Sequence, residues 1–414
     1  MSLIEDLVYP TKQIIENPYP LYKDLQTTAP YVHVSDKGEF LITRPEDVTF
    51  VAMHPEIFSN LLGPVTPGMA ERFRVPPDKI NDPAIPTPWP TPFSDGEDHD
   101  LKRSLLQSCV RNEKIVEYEP MIRRVVNEII DDVIKVGRCE FKQQFARRIP
   151  AKVMLEVIGV PPEDADELAI SLSGGSAGGQ GIRHASAEER KVNDERVENV
   201  RSYFRKLMQD RFAKPQGDFI STLLQDKMAR DGKLDLEIMI TEVILLYGAS
   251  FGNTVDAMAQ TLYHLITHPQ TMARVQADPT LIPKAIEESM RVETPVQWVG
   301  RRVLADTEIA GVKIPKESFC LVMYGAANRD ESKFENAEVF DIDRPRINSH
   351  MAWGYGMHRC LGAPLARQEN RICFEEMFRR LTNFRLAPGW QEVRATGSSA
   401  HRDLADLQIE FDPK

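Results

Sequence analysis

One cysteine stands in a segment whose residue types suit metal or redox chemistry. The segment Trp353 to Arg367 reads W-G-Y-G-M-H-R-C-L-G-A-P-L-A-R, with the cysteine at position 360. Its glycines let the backbone approach a flat cofactor closely. Amide groups of a loop that enters a helix lower the pKa of a thiol. An isolated cysteine at a helix start is more often an inert small hydrophobe, and zinc is a poor alternative because His358 and Cys360 have no second ligand pair nearby.

The elements that must position this cysteine are mainly helices. Apolar residues recur at helical spacing from Pro120 to Gly137. A second pattern runs from Asp235 to His268, about 50 Å of helix at ~1.5 Å per residue. It is apolar almost all round, which predicts burial. Its two glycines, Gly248 and Gly252, indicate either a bulky group against the middle of the helix or close helix packing.

Short strands flank these helices. The sequence predicts a hairpin over 32–34 and 40–42, a short helix from Pro45 to His54, and strands near 299–303, 307–310, 311–314 and 319–323. A last helix is expected from about Cys360 to Leu381, with strands near 407–411. No linker separates the parts, which favours one domain over 1–414. The fold class is mainly α with a small β region (α+β), β-rich near 30–45 and helical from about 99 onward.

Two segments lack a period. Residues 60–95 contain nine prolines and predict a long loop, which is either functional or a floppy surface loop. Residues 173–181 contain five glycines and predict a hinge or lid. That stretch lacks the strand and helix that flank a dinucleotide-binding loop. A nicotinamide or flavin site in this chain is therefore not expected.

Composition narrows the classes of partner and compartment. The chain has 51 basic and 62 acidic residues, a net charge of −11. This balance argues against nucleic acid or an anionic membrane as the main partner. Met1 to Pro10 contain no apolar run, and the five cysteines show no C-x-x-C pairing. We therefore expect a cytoplasmic protein with reduced cysteines.

The segment around Cys360 resembles the haem-binding loop of the cytochrome P450 family, F-G-x-G-x-H-x-C-x-G-x-x-L-A-R. Every fixed position matches except the first, where Trp353 replaces phenylalanine. The resemblance implies the P450 fold, with the long central helix crossing a haem b whose iron is bound by the thiolate of Cys360. Glu288 and Arg291 resemble the family's E-x-x-R pair, and Arg344 matches the arginine that joins them in a structural triad.

The resemblance also implies which residues hold the cofactor. Haem propionates need cationic or hydrogen-bonding partners. By resemblance to the family, these partners are His99 and Arg103, which form an H-x-x-x-R pair, Arg301 on a predicted strand, and His358. Trp353 and Gly354 complete the cofactor-binding set. Each of these alone would be an ordinary surface or loop residue.

The central helix departs from the family pattern A/G-G-x-D/E-T-T/S. Counting back from His268 aligns Ala249 to Thr254 with it, so that Gly252 replaces the acid and Asn253 the first threonine. Only Thr254 keeps a hydroxyl, and a shift of one residue would bring it into the alcohol position. Gly252, Asn253 and Thr254 are the candidate catalytic residues, because the family uses this acid and alcohol to deliver protons to bound dioxygen.

Three functions follow from the resemblance. The first is a haem-thiolate monooxygenase that hydroxylates or oxidatively dealkylates a hydrophobic small molecule, with electrons from a separate ferredoxin or flavodoxin and its reductase. The second is a peroxide-using peroxygenase, and the third a haem sensor or carrier. A basic docking patch would comprise Lys102, Arg103, Arg111 and Arg371. By family position the pocket would be lined by Leu245, Gly248, Ala249, Pro295, Val296, Gln297 and Val299.

Overall fold

The structure, a computed structural model, describes residues 7–61, 90–173, 187–395 and 397–414. The glycine-rich stretch 174–181 and most of the proline-rich segment 60–95 lie outside the described residues, so the lid and loop hypotheses stay predictions. The described chain is mainly helical. Its helices are α1 Lys12–Glu16, α2 Tyr19–Thr27, α3 Pro45–Met53, α4 Gly96–Leu106, α5 Asn112–Ile134, α6 Arg148–Ile158, α7 Pro162–Ser173, α8 Ala187–Ala213, α9 Phe219–Asp231, α10 Leu236–Thr267, α11 Pro269–Ala277, α12 Ile282–Val292, α13 Tyr324–Ala327 and α14 Ala363–Arg380.

Shorter helical turns and ten strands complete the described elements. The 3₁₀ turns are Thr91–Phe93, Gln107–Val110, Pro279–Leu281, Ile347–Ser349 and Gly356–His358, and a π-helix spans Phe141–Ala146. The strands are β1 Val32–Val34, β2 Glu39–Ile42, β3 Phe58–Ser59, β4 Arg138–Glu140, β5 Val299–Val303, β6 Thr307–Ile309, β7 Val312–Ile314, β8 Phe319–Val322, β9 Leu381–Leu386 and β10 Gln408–Pro413.

Contacts divide the chain into two compact units. The first comprises Met1–Asp100, Asp256–Ala363 and Pro388–Leu407, and the second comprises Leu101–Val255, Pro364–Ala387 and Gln408–Lys414. The boundary falls inside α10. The prediction of a single domain over 1–414 stays a prediction.

The first unit contains a five-stranded sheet in the order β1-β2-β8-β5-β3. The β1–β2 hairpin is antiparallel and pairs Val34 with Phe40, which confirms the predicted hairpin. Strand β2 pairs with β8 in parallel, and the remaining pairs are antiparallel. Apolar residues of this sheet pack with those of α3, which begins at Pro45 and ends before Pro55 as predicted.

The second unit combines helices with a three-stranded antiparallel sheet in the order β4-β10-β9. Helix α5 buries the predicted apolar stripe from Ile122 to Val133. It begins at Asn112, so the predicted start at Pro120 is wrong. A proline costs a helix one backbone hydrogen bond. Here the carbonyl left over belongs to Val116, a residue that is 71% exposed, so solvent can replace that bond.

The central helix α10 spans 32 residues, as expected. It is long and apolar enough to cross a membrane, a property that core helices of soluble proteins share. Its second half is buried as predicted, and in its middle Ala249 and Gly252 are not covered by other described residues. Leu245, Gly248 and Asn253 are half-buried beside them. Because these residues recur at three- and four-residue spacing, one face of the helix is open at its centre.

Candidate functional site

The loop before Cys360 is held in a fixed shape by its own backbone. The Cys360 N–H donates to the Trp353 carbonyl at 2.7 Å, and the Gly354 N–H donates to Met351 at 2.9 Å. Gly354 and Gly356 adopt positive φ values of 71° and 69°, which favour glycine. A Cβ on Gly356 would overlap the Ala52 carbonyl at the end of α3. The loop therefore requires glycine at 356 for both conformation and space.

Cys360 differs from the other four cysteines. Its residue is exposed, whereas Cys109, Cys139, Cys320 and Cys373 are buried. Burial raises the pKa of the Cys139 and Cys320 thiols to about 12. These buried thiols stay protonated and inert. Only Cys360, three residues before α14, is placed to bind a metal from solvent-accessible space.

The indole of Trp353 makes a contact that a phenylalanine could not. Its Nε1–H donates to Glu287 Oε2 at 3.2 Å, and Glu287 also lies 2.9 Å from His350 Nε2. Glu287 is buried in α12. Sequence reasoning missed Glu287, although the acid doublet at 287–288 within an apolar helix was a signal that both carboxylates face partners inside the fold.

The structure brings Glu288, Arg291 and Arg344 together, fully buried. Arg291 donates to both oxygens of Glu288, at 2.7 and 2.8 Å, and Arg344 Nε donates to Glu288 Oε1 at 3.0 Å. The spare guanidinium N–H groups donate to backbone carbonyls, including those of Asn328 and Val339. Such a satisfied bidentate network can be buried without leaving an unpaired charge.

Asn328 links this triad to the cysteine loop. Its amide donates to the Thr294 hydroxyl at 2.8 Å, and its carbonyl oxygen accepts from the Met351 N–H at 2.6 Å. Asn328 is fully buried. The stretch 327–330 therefore serves as a rigid connection between α12 and the loop that carries Cys360.

Three nitrogen-rich side chains, two buried and one half-buried, lie together at this loop. The rings of His99 and His358 lie 4.3 Å apart. His99 is 1% exposed and Arg301 is 4% exposed. Arg301 Nη1 donates to the Gly300 carbonyl. Burial is the largest cause that lowers the pKa of His358, and the charge of Arg301 lowers it further. The structure thus places His99, His358 and Arg301, three of the predicted haem-binding residues, close together. Arg103 follows His99 by one turn along α4.

This group has unused donors among the residues that the structure describes. His99 Nε2 and His358 Nε2 have no hydrogen-bond partner there, and no described carboxylate pairs with Arg301. His358 Nε2 lies 3.5 Å from Asp95 Oδ1, too far for a good hydrogen bond. Buried donors without partners are costly. A buried cation with two such nitrogens therefore fits an anionic group of a ligand, and the propionates of haem have that chemistry.

Asp95 is a further residue that sequence reasoning missed. Burial would raise its pKa, but the neighbouring His358, the Ser59 hydroxyl and the Asn60 N–H lower it below its ordinary value. The carboxylate is therefore ionised and anchors the start of α4 to β3. It lies four residues before His99, and this spacing alone does not predict the contacts that Asp95 makes in the fold.

The residues predicted for the oxygen side lie on α10 in the second unit. Ala249, Gly252 and Asn253 share its open face, and a Cβ on Gly252 would meet no described atom within 4 Å. Thr254 is buried instead. Asn253 is therefore the polar member of the candidate catalytic set that reaches the open face, and the one-residue shift that would favour Thr254 gains no support.

The remaining pocket and docking predictions have mixed placements. Pro295 is buried, Val296 is half-buried, and Val299 packs on the apolar core of the first unit. The Gln297 amide already has two partners, Tyr22 and Thr294. Among the docking candidates Lys102 is buried, and Arg371 is ion-paired with Glu119 and Glu375. Those two are poor docking residues, whereas Arg111 is exposed.

Comparisons with known proteins agree with the fold. The profile of the cytochrome P450 family matches residues 179–395. The biotin biosynthesis cytochrome P450 of Bacillus subtilis is 30% identical over 97% of this chain and 98% of its own length. The 6-deoxyerythronolide B hydroxylase of Saccharopolyspora erythraea is 28% identical over 77% of this chain and 77% of its own length.

A solved structure extends the likeness to three dimensions. P450BioI, solved in complex with an acyl carrier protein that carries hexadec-9Z-enoic acid, is 27% identical, with a TM-score of 0.83 over 97% of this chain and 99% of its own. Both proteins have the cytochrome P450 fold, which is mainly helical with small sheets. The chain belongs to the cytochrome P450 family. It is an oxidoreductase of the monooxygenase class.

Proposed function

We propose that this protein is a cytoplasmic monooxygenase that inserts one oxygen atom of dioxygen into a hydrophobic small molecule, by hydroxylation or oxidative dealkylation. The exposed Cys360 on its rigid loop, beside the His99 and His358 rings and the buried Arg301 guanidinium, carries the proposal. The whole chain 1–414 acts as one domain, and electrons come from a separate ferredoxin or flavodoxin with its reductase.

The residues of the chain would hold haem b in defined ways. The Cys360 thiolate would bind the iron, and Arg301, His99, His358 and Arg103 would bind the propionates. A thiolate-ligated haem supplies the oxygen activation and the oxidising power. The loop fixed by Trp353, Gly354 and Gly356 keeps the sulfur in place, and Asn328 transmits the rigidity of the buried triad to that loop.

The open face of α10 would serve the oxygen side. Gly252 leaves room for water, and the amide of Asn253 can donate to and accept from it. Asn253 would therefore hold a water molecule that carries protons, where relatives with an acid and an alcohol use side chains. Leu245, Gly248, Ala249, Pro295, Val296 and Val299 would form apolar walls of the substrate pocket.

The absorption spectrum of the reduced protein with carbon monoxide tests the ligand assignment. The Soret band of a thiolate-ligated haem is expected in the wild type and should be lost in Cys360→Ala. Cys373→Ala is the matched control, since that thiol is buried, and it should keep the band. A thiolate-type band that persists in Cys360→Ala would overturn the assignment.

A peroxygenase is the second candidate, and the missing acid at Gly252 favours it. Without a carboxylate or threonine there, proton delivery to dioxygen would be poorly controlled and hydrogen peroxide would serve better as oxidant. Turnover with redox partners and turnover with peroxide are compared for the wild type and Asn253→Thr. In a monooxygenase, Asn253→Thr should raise product formed per reduced cofactor. Efficient peroxide turnover together with negligible partner-driven turnover would favour the peroxygenase.

A further inference from the structure

Three buried side chains of the first unit meet at one carboxylate oxygen beside the cysteine loop. Trp353 Nε1–H donates to Glu287 Oε2 at 3.2 Å, and His350 Nε2 lies 2.9 Å from the same oxygen. The exposed fractions of Trp353, His350 and Glu287 are 8%, 7% and 6%. Hydrogen bonds donated by two N–H groups favour the ionised form of a carboxylic acid. Glu287 therefore holds a negative charge inside the protein.

The hydrogen bonds of His350 fix the charge of its ring. The Ala352 N–H donates to His350 Nδ1 at 3.1 Å, so this nitrogen carries a lone pair and no proton. The single ring proton is therefore on Nε2, which donates it to Glu287. An imidazole with one ring proton is neutral. His350 thus stabilises the carboxylate without cancelling its charge, as a lysine at that position would.

This charge lies next to the residue that holds the backbone of Cys360. The Trp353 carbonyl accepts the Cys360 N–H at 2.7 Å, and the Trp353 indole donates to Glu287. One side chain and one backbone hydrogen bond therefore connect the carboxylate to the cysteine. Buried charges are screened less by salt and act over longer distances than charges in water. The charge of Glu287 therefore acts on a group that the Cys360 sulfur binds.

We propose that Glu287 lowers the reduction potential of the haem iron bound to Cys360, and so determines which electron donors can reduce this protein. The proposal rests on the proposed function, in which that haem is present. Reduction of ferric to ferrous iron adds one electron to the site, and a fixed negative charge nearby opposes this step. The donor that reduces the iron therefore needs a correspondingly low potential. Trp353 is a positioning residue, because its N–H holds the carboxylate beside the loop.

Glu287→Gln removes the charge and keeps the geometry. Trp353 and His350 both bond to Oε2, so an amide oxygen at that position can accept from both. The reduction potential of the haem-loaded protein is measured by spectroelectrochemical titration. Glu308→Gln is the matched control, because Glu308 is an exposed carboxylate on β6 of the same unit, and its loss changes the net charge of the protein equally.

The proposal expects a positive shift of the potential in Glu287→Gln. At the potential where the wild-type iron is half reduced, the ratio of ferrous to ferric iron should rise roughly threefold or more in the variant. The shift should persist at about 1 M salt, where the Debye length is about 3 Å. Glu308→Gln should match the wild type. An unchanged potential in Glu287→Gln would overturn the proposal.

A second pair of variants tests the charge by another route. His350→Lys places a cation beside Glu287 and should raise the potential. His350→Gln keeps a neutral N–H donor and should leave the potential near the wild-type value. An equal shift in both variants would assign the effect to the structure of the loop and refute the proposal. This pair also decides the question if Glu287→Gln does not incorporate haem.

The spectrum of the reduced protein with carbon monoxide is recorded for the wild type and each variant. If Glu287→Gln shows the thiolate Soret band and an unchanged potential, the role of Glu287 is refuted while the proposed function stands. If the wild type itself lacks the thiolate band, the proposed function fails first, and the role of Glu287 fails with it.

Discussion

At the scale of single residues, Trp353 gives the cysteine loop a hydrogen bond that phenylalanine lacks. Its Nε1–H donates to the buried Glu287, which His350 also contacts. Trp353→Phe leaves the carboxylate with one partner fewer in a site shielded from water. We expect the free energy of unfolding to fall by about 1–3 kcal/mol, as for a buried group that loses a charge-assisted bond. Urea unfolding of the haem-loaded protein measures this.

A double-mutant cycle separates the bond from the packing of the ring. Glu287→Gln is made alone and together with Trp353→Phe. If the indole acts through its N–H, the two effects should be non-additive by about 1 kcal/mol or more. Strictly additive losses would show that the ring contributes only by filling space.

Glu369 is a buried acid on α14 whose titration should be visible in stability. The residue is 1% exposed, Oε1 has no partner among the described residues, and burial raises the pKa to about 8 from the ordinary 4.5. Below pH 4.5 both folded and unfolded chains hold this proton. Between pH 4.5 and 8 only the folded chain does, so stability falls as pH rises, by up to ~1.4 kcal/mol per pH unit.

Glu369→Gln removes that titration. We expect its free energy of unfolding to fall less steeply than that of the wild type between pH 5 and 8, so that the variant gains relative stability as pH increases. Denaturant midpoints at pH 5, 6, 7 and 8 measure the difference. Glu375→Gln is the comparison, since that carboxylate lies on the same helix but is paired with Arg123 and Arg371. Parallel pH profiles for wild type and Glu369→Gln would contradict the expectation.

At the scale of elements, a π-helix and the central helix are joined by one cation–π contact. The π-helix Phe141–Ala146 precedes Arg147, whose guanidinium lies 4.5 Å from the centre of the Phe251 ring. Phe251 directly precedes Gly252 and also stacks on Tyr247. This contact therefore holds the segment of α10 on which the open face lies.

Arg147→Gln should loosen that segment. We expect a loss of about 0.5–2 kcal/mol of stability, the range of cation–π contacts, and a smaller effect when Phe251 is already leucine. The four unfolding free energies of the cycle Arg147→Gln and Phe251→Leu measure the coupling. Gln143→Ala serves as control, because Arg147 also donates to that side chain at 3.2 Å. A full loss from Gln143→Ala would assign the effect to the hydrogen bond.

Elements with strong periodicity were predictable, and their exceptions have local causes. The apolar pattern of α10 and the hairpin around Gly38 each follow from a single physical signal. The start of α5 was not predictable, because nothing in the sequence shows that Val116, whose carbonyl Pro120 leaves without a partner in the helix, is exposed to solvent. The open face of α10 was predictable only in part: Gly248 and Gly252 indicate the middle of the helix, but apolar residues on every side do not show which face the rest of the protein leaves uncovered.

At the scale of the whole molecule, the site was predictable where a fixed sequence pattern carries it. Cys360, Glu288, Arg291 and Arg344 stand at pattern positions, and the structure brings the last three together. Glu287 and Asp95 were not predicted. Each acts through a partner distant in the chain, such as His350 or Ser59, and pairing across such separations depends on the fold.

The stability of the whole molecule should depend on haem through Arg301. This buried cation has no carboxylate partner among the described residues, so it destabilises the haem-free protein and is compensated when an anionic ligand binds. Arg301→Met should leave the haem-free protein equally or more stable and reduce the rise in Tm that haem produces, by several degrees. Thermal unfolding of both forms, with haem transfer to apomyoglobin, measures this. Arg302→Met is the control, because Arg302 is the next residue on β5 and pairs with Glu317 at the surface. An equal loss of the haem-induced rise in both variants would mean that strand β5, and not the buried charge, couples haem to folding.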